Sequence, residues 1–222
     1  MSDIQPHLET LPPAQRLLWP KLSAVGLDFV LYGGSALSLQ VGGRTSVDFD
    51  FFTADPVDAD KIAARFSFLE GARLQQRSEA TATFLVGHGE DAVAVSFFGA
   101  LAFGRVGAPV RFADNGIYAA SLLDLAAQKV KVVQQRAEMK DYLDIDALIR
   151  HGIALEMALG AARALYPQFN PVISLKALGY FDDVPKVAPE IRKNLTTAVL
   201  GVKQITEVPK QANSLLPPGA VR

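Results

Sequence analysis

The sequence predicts an α/β (α+β) protein in which strands and helices alternate through about the first 115 residues and a helical region follows. Three observations predict it. Strand-length apolar runs, among them Phe29-Val30-Leu31-Tyr32 and Val93-Ala94-Val95-Ser96-Phe97-Phe98, are separated by turn residues and helical segments. The pair Gly33-Gly34 joins the first run directly to an apolar helix, as in a strand–turn–helix unit. From Ser121 onward the apolar period becomes helical and stays so through most of the remaining chain.

In chain order, a helix is expected from Pro13 to Val25, then the strand 29–32. The helix after Gly34 should stop near Gly42-Gly43, a glycine pair suited to a helix end. A strand over 47–52 follows, and Pro56, fit for a first helical turn, opens a helix to about Leu69. Arg73 to Arg77, Ala82 to Val86 and Val93 to Phe98 read as short strands, with Gly87 to Asp91 as a hairpin loop. The organisation expected is a core over 1–115, a helical domain over 116–207, and a mobile tail over 208–222, rich in Pro, Ala and small residues. There is no internal repeat.

Composition bounds the function classes. With 222 residues the chain can form one large domain or two small ones with ample core. Half of the residues are hydrophobic, yet no apolar run approaches a membrane span. Met1 to His7 lacks a basic region followed by an apolar stretch, so no signal peptide is expected. The absence of cysteine excludes disulfides and thiolate metal sites and agrees with a cytoplasmic protein. Lys plus Arg total 22 against 23 for Asp plus Glu, which excludes a general nucleic-acid-coating protein; an RNA substrate would need a local basic surface.

The chemistry concentrates between Gly33 and Phe52. In the strand 47–52, Asp48, Asp50 and Phe52 point one way and Val47, Phe49 and Phe51 the other. Two carboxylates on one face of an apolar strand repel each other and resist burial. A divalent cation removes both objections, and Mg²⁺ (or Mn²⁺) takes one or two carboxylates plus substrate phosphates. The Gly33-Gly34-Ser35 turn supplies N–H groups at a helix N-terminus that can receive phosphate oxygens, and Arg44 adds a cation nearby. The parts make a site for a metal–nucleoside triphosphate. Taken singly they read otherwise: an exposed strand, an ordinary turn, a Ser35 helix cap and a solvated Arg44.

The series Leu31-Tyr32-Gly33-Gly34-Ser35-Ala36-Leu37, then Arg44, Ser46 and Asp48-Phe49-Asp50-Phe51-Phe52, resembles the AbiEii/AbiGii abortive-infection toxin family of the nucleotidyltransferase fold. Members of that family are the toxin halves of bacterial toxin–antitoxin pairs. The resemblance covers about residues 11–150. It implies a mixed sheet with flanking helices, a helical region completing the active cleft, and transfer of a nucleoside monophosphate from an NTP to a hydroxyl. Asp48 and Asp50 would hold the metal; Gly33, Gly34, Ser35 and Arg44 would hold the phosphates. The acceptor it suggests is tRNA or another RNA, with a small-molecule hydroxyl as the other candidate and a cognate antitoxin as a protein partner.

Two further features belong to this resemblance. A third carboxylate, expected on the strand 93–98, is replaced by Ser96, which can neither ligate as an anion nor act as a base at neutral pH. Glu90 and Asp91 lie too near the loop to stand in for it. In the helical region Lys129, Arg136, Asp141 and Asp144 match the family's later motifs. That match gives Lys129 and Arg136 the triphosphate's charge, Asp141 an orienting or proton-accepting role, and Asp144 a structural one. The competing reading of this set is a salt-bridged surface. The competing reading of the whole chain is an impaired NTP-, RNA- or partner-binding relative.

Overall fold

A computed structural model describes residues 3–216. They fall into two compact units, the first made of residues 3–104, Ala108–Ala120 and 213–216, the second of Arg105–Gly107 and Ser121–Ala212. The part of the expected tail over 217–222 lies outside the described residues.

The first unit holds every strand. In chain order these are β1 (Asp3–Ile4), β2 (Val30–Tyr32), β3 (Asp48–Phe52), β4 (Arg73–Ser78), β5 (Thr81–Val86), β6 (Val93–Phe98), β7 (Val110–Phe112) and β8 (Tyr118–Ala119). They form one mixed sheet in the spatial order β1-β7-β8-β2-β3-β6-β5-β4. β3 lies antiparallel to β2 and parallel to β6. Three helices join them: α1 (Pro13–Leu18), α2 (Gly33–Val41) and α3 (Ala59–Arg65).

Alternation along β3 decides where the core sits. Phe49 and Phe51 are fully buried while Asp48, Asp50 and Phe52 are partly exposed. On the buried face Phe51 stacks on Phe97 of β6 at 5.6 Å, Phe66 stacks on Phe97 at 5.6 Å, and Phe29 meets Phe97 edge-on at 5.1 Å. Trp19 packs against Phe49 and Phe112 and donates its indole N–H to Asp114 at 2.7 Å. Those rings supply the large apolar areas that make this face the core.

Several boundaries differ from the sequence-based expectation, each for a local reason. The helix expected from Pro13 to Val25 is α-helical only to Leu18 and continues as a 3₁₀ helix over Trp19–Val25. Pro20 there lacks an N–H and crowds the preceding turn. α3 begins at Ala59, not at Pro56, because Asp58 caps it by accepting from the N–H groups of Asp60 and Lys61. Val47 lies before the strand and is 67% exposed, so only Phe49 and Phe51 represent its face in the core. β1, β7 and β8 were not expected; two or three residues are too few to show an alternating pattern.

The second unit is helical: α4 (Leu122–Val132), α5 (Met139–Arg150), α6 (Leu155–Leu165), α7 (Pro171–Leu178) and α8 (Pro189–Gly201). Ser121 caps α4 by accepting from the N–H of Asp124. The Asp124 carboxylate, buried, accepts from the N–H groups of Val106 and Gly107 at 2.8 and 3.0 Å. Burial pushes its pKa up against these hydrogen bonds. The chain after α8 crosses α6 at Gly160, where a Cβ would lie 1.9 Å from the Thr206 carbonyl. Gln211 and Ala212 then pair with the backbone of Arg105. In the first unit Leu215 is fully buried. The described part of the expected mobile tail is therefore anchored by backbone pairing and by an apolar side chain. Among the described residues no helix is long and apolar enough to cross a membrane.

The Gly160 crossing gives a stability prediction. Gly160→Ala should force the 206–208 segment off α6 and cost about 2 kcal/mol, read as a lowered midpoint in thermal or urea denaturation.

Candidate active site

The turn from β2 into α2 is built around two glycines. Gly33 has φ of +72°, and a Cβ on it would lie 2.5 Å from Oδ2 of Asp50, so its backbone rests against that carboxylate. A Cβ on Gly34 would lie 2.6 Å from Nη2 of Arg44 and 2.8 Å from Oγ of Ser46. The N-cap residue of α2, Tyr32, makes no side-chain capping hydrogen bond, and the first N–H groups carry the positive end of the helix. Ser35, expected to cap or to meet phosphate, is buried and donates its hydroxyl to the carbonyl oxygen of Asp48. That bond ties α2 to the start of β3. Gly33, Gly34, Ser35, Arg44, Asp48 and Asp50 are thus gathered at one end of β3.

Register places the remaining residues of this face. Asp50 is paired with Tyr32 on one side and with Ser96 on the other, and Ser96 with Thr83 of β5. The position where a third carboxylate was expected therefore lies directly beside Asp50 and holds Ser96, 7% exposed, which accepts a hydrogen bond from Thr83 Oγ1 at 3.1 Å. Glu90 and Asp91 stand at the far end of the β5–β6 hairpin, beyond the Val86–Val93 pair. Two polar residues had no role assigned from the sequence. Ser46, buried, donates to Asp48 Oδ1 at 3.2 Å; its signal was its place in the series that carries the family resemblance. Thr83 carried no signal until the register was known.

Among the described residues no group of three or more His, Cys, Asp or Glu could hold a metal ion. Asp48 and Asp50 offer two carboxylates and no nitrogen or sulfur. This donor set fits a hard cation that completes its shell with phosphate and water. The helix end and Arg44 beside it fit those phosphates.

The second unit carries a buried ionic cluster. Lys129, near the end of α4, is 6% exposed, and its amine lies 3.0 Å from Asp141 and 2.6 Å from Asp144, one turn apart on α5. Arg136 reaches the same Asp141 through Nε at 2.9 Å and Nη2 at 3.3 Å, and pairs with Glu138 at 3.2 Å. Burial alone would raise the Asp141 carboxyl; the Arg136 hydrogen bond and the Lys129 ammonium outweigh it and hold it below the usual carboxylate value. Lys129, Arg136 and Asp141 are therefore brought together, with Asp144 as a second partner of the lysine.

A family model described as nucleotidyl transferase AbiEii toxin, type IV toxin–antitoxin system, matches residues 16–204. The chain belongs to this family. An uncharacterized protein of Aquifex aeolicus (strain VF5) is 33% identical to it over 181 residues, 79% of this chain and 85% of that protein. Two solved structures share the fold at low identity. MenT4, a nucleotidyltransferase toxin of Mycobacterium tuberculosis H37Rv, is similar with a TM-score of 0.56 at 16% identity, over 85% of each chain. An antigenic nucleotidyltransferase-like protein of Paracoccidioides brasiliensis is similar with a TM-score of 0.50 at 17% identity, over 87% of this chain and 91% of that one. The expected mixed-sheet nucleotidyltransferase fold is the fold of this AbiEii protein.

The ionic cluster gives a pH prediction. Ionised Asp141 is favoured in the folded state, so its stabilisation is complete above the unfolded value of about 3.9 and is lost as pH falls through the folded value. Asp141→Asn should cost about 3–5 kcal/mol at pH 7 by leaving Lys129 and Arg136 undercompensated. The gap between wild type and variant, followed by urea denaturation, should narrow below about pH 4.

Proposed function

We propose that this AbiEii-family protein is a metal-dependent nucleotidyltransferase that moves a nucleoside monophosphate from an NTP to a hydroxyl. The observation that supports it most is the packing of Gly33 on the Asp50 carboxylate at the start of α2, with Arg44 and Ser46 beside Gly34. Acidic ligands for a cation and N–H donors for phosphate are adjacent there. In the reaction the acceptor oxygen bonds to the α-phosphorus and gives up its proton to solvent water, the bond from that phosphorus to the bridging oxygen breaks, and pyrophosphate leaves. Asp48 and Asp50 would hold Mg²⁺ (or Mn²⁺), which when bound offsets charge developing on the α-phosphate. The α2 N–H groups and Arg44 bind the outer phosphates. Ser35 and Ser46 hold Asp48 in place through its carbonyl and its carboxylate.

For the second unit this reading keeps Lys129 and Arg136 as cations for phosphate charge. To Asp141 it gives the orientation of both cations. The depressed pKa of Asp141 and its hydrogen bonds to Lys129 and Arg136 support orientation over proton acceptance. The acceptor we propose is a tRNA or other RNA hydroxyl, with a small-molecule hydroxyl as the alternative. The setting we propose is a cytoplasmic toxin countered by a cognate antitoxin protein.

One observation favours a second reading. Ser96 beside Asp50 leaves the face with two carboxylates, which suits a relative that binds the metal–NTP and transfers slowly or not at all. Incubation with Mg²⁺, each α-labelled NTP and total cellular RNA separates the two. We expect label in RNA with wild type and background label with Asp48→Ala/Asp50→Ala. Binding of Mg·NTP without transfer to RNA or to a panel of small hydroxyl compounds would establish the second reading.

A further inference from the structure

Past Asp50, the site face of the sheet changes character. Phe52 follows on the same face of β3, and Phe98 is its cross-strand partner on β6, the two rings 5.1 Å apart and tilted by 66°. Phe103, from the loop after β6, meets Phe52 edge-on at 6.3 Å and Tyr32 at 6.1 Å. Tyr32 lies flat on Phe52 at 4.5 Å and 12° and is buried. Phe52, Phe98 and Phe103 are all partly exposed, whereas Phe49, Phe51 and Phe97 on the opposite face are fully buried. The core has therefore taken the other face's rings, and these three are partly exposed on the face that carries the carboxylates.

The loop that delivers Phe103 is held in an uncommon conformation. Ala100 has φ of +54°, the one non-glycine residue with positive φ among the described residues. Its N–H donates to the Asp55 carbonyl at 2.8 Å, and that of Leu101 to the Thr53 carbonyl at 3.3 Å. Gly99 before it admits no Cβ, since one would lie 2.5 Å from the Asp55 carbonyl. These contacts turn the chain back so that Phe103 joins Phe52.

Along β3 the face runs from anion-binding to aromatic: Arg44, Ser46 and the α2 start near Asp48, then Asp50, then the three rings. We propose that Phe52, Phe98 and Phe103 form the platform on which the base of the nucleoside triphosphate stacks, its phosphates pointing to α2. The inference rests on the nucleotidyltransferase reading and deepens it. Asp50 and Phe52 are about 7 Å apart along the strand, comparable with the span of a ribose between base and α-phosphate. Phenyl rings offer stacking and no hydrogen bonds, so the platform accepts any base and holds purines more tightly than pyrimidines.

Calorimetric titration with Mg·ATP and with Mg·tripolyphosphate, which has the phosphates and no base, tests it. Phe103→Ala should weaken ATP binding by about tenfold and leave tripolyphosphate binding unchanged. As a second variant, Phe103→Trp should give indole fluorescence that ATP quenches and tripolyphosphate does not. Equal affinity of wild type and Phe103→Ala for ATP, or a Trp signal indifferent to the base, overturns the platform while leaving the phosphate site standing. Wild type binding neither ligand overturns the nucleotidyltransferase reading and the platform with it.

Discussion

Strand β3 must hide one face and charge the other, and both the core and the site of the first unit depend on its doing so. Phe49 and Phe51 lie among Trp19, Phe66 and Phe97, while Asp48 and Asp50 occupy the opposite face. A slip of one residue would drive two carboxylates into an aromatic core and expose two phenyl rings. An ionised carboxylate buried without a partner costs several kcal/mol, so that slip is forbidden and the parallel pairing with β6 is pinned. The same pinning sets Ser96 beside Asp50 and Phe98 beside Phe52. Position on the site face therefore follows from burial on the other.

The second unit handles charge differently. Lys129 and Arg136 meet Asp141 and Asp144 in an arrangement whose formal charges cancel, with the lysine and both carboxylates removed from water. Such clusters add little net stability over an apolar core, yet removing one member leaves its partner exposed to the full desolvation cost. Their consequence here is geometric: α4 and α5 are locked in one register, and the Arg136 guanidinium is directed onto Asp141 by two hydrogen bonds. Small residues serve a comparable end on α6, where Gly160 lets the returning chain lie directly on the helix.

What the sequence made legible follows from the range of each interaction. Alternation and the Gly33-Gly34 turn are local, so β2, α2, β3 and the faces of Asp48 and Asp50 could be read directly. The association of Lys129 with Asp141 came from the resemblance to the family's later motifs, since the two lie on different helices and no local pattern links them. The roles of Ser46 and Thr83 were not readable, since they depend on a loop path and on a strand register that no local pattern encodes. The same holds for Phe103, which joins Phe52 only through the turn at Ala100. β7 and β8 escaped notice because their pairing, not their composition, makes them strands. Leu215 looked like part of a tail because a single apolar residue among Pro and Ser leaves no periodic signal.

The central claim is that Asp48 and Asp50, with the start of α2, receive a metal–triphosphate. The most direct measurement is a crystal structure with Mn²⁺ and an α,β-methylene NTP, reading the manganese from its anomalous signal. The account predicts manganese bound by Asp48 and Asp50 with the phosphates on the N–H groups of Gly33, Gly34 and Ser35. Manganese and triphosphate bound together at another surface, with Asp48 and Asp50 making no contact to either, would contradict it.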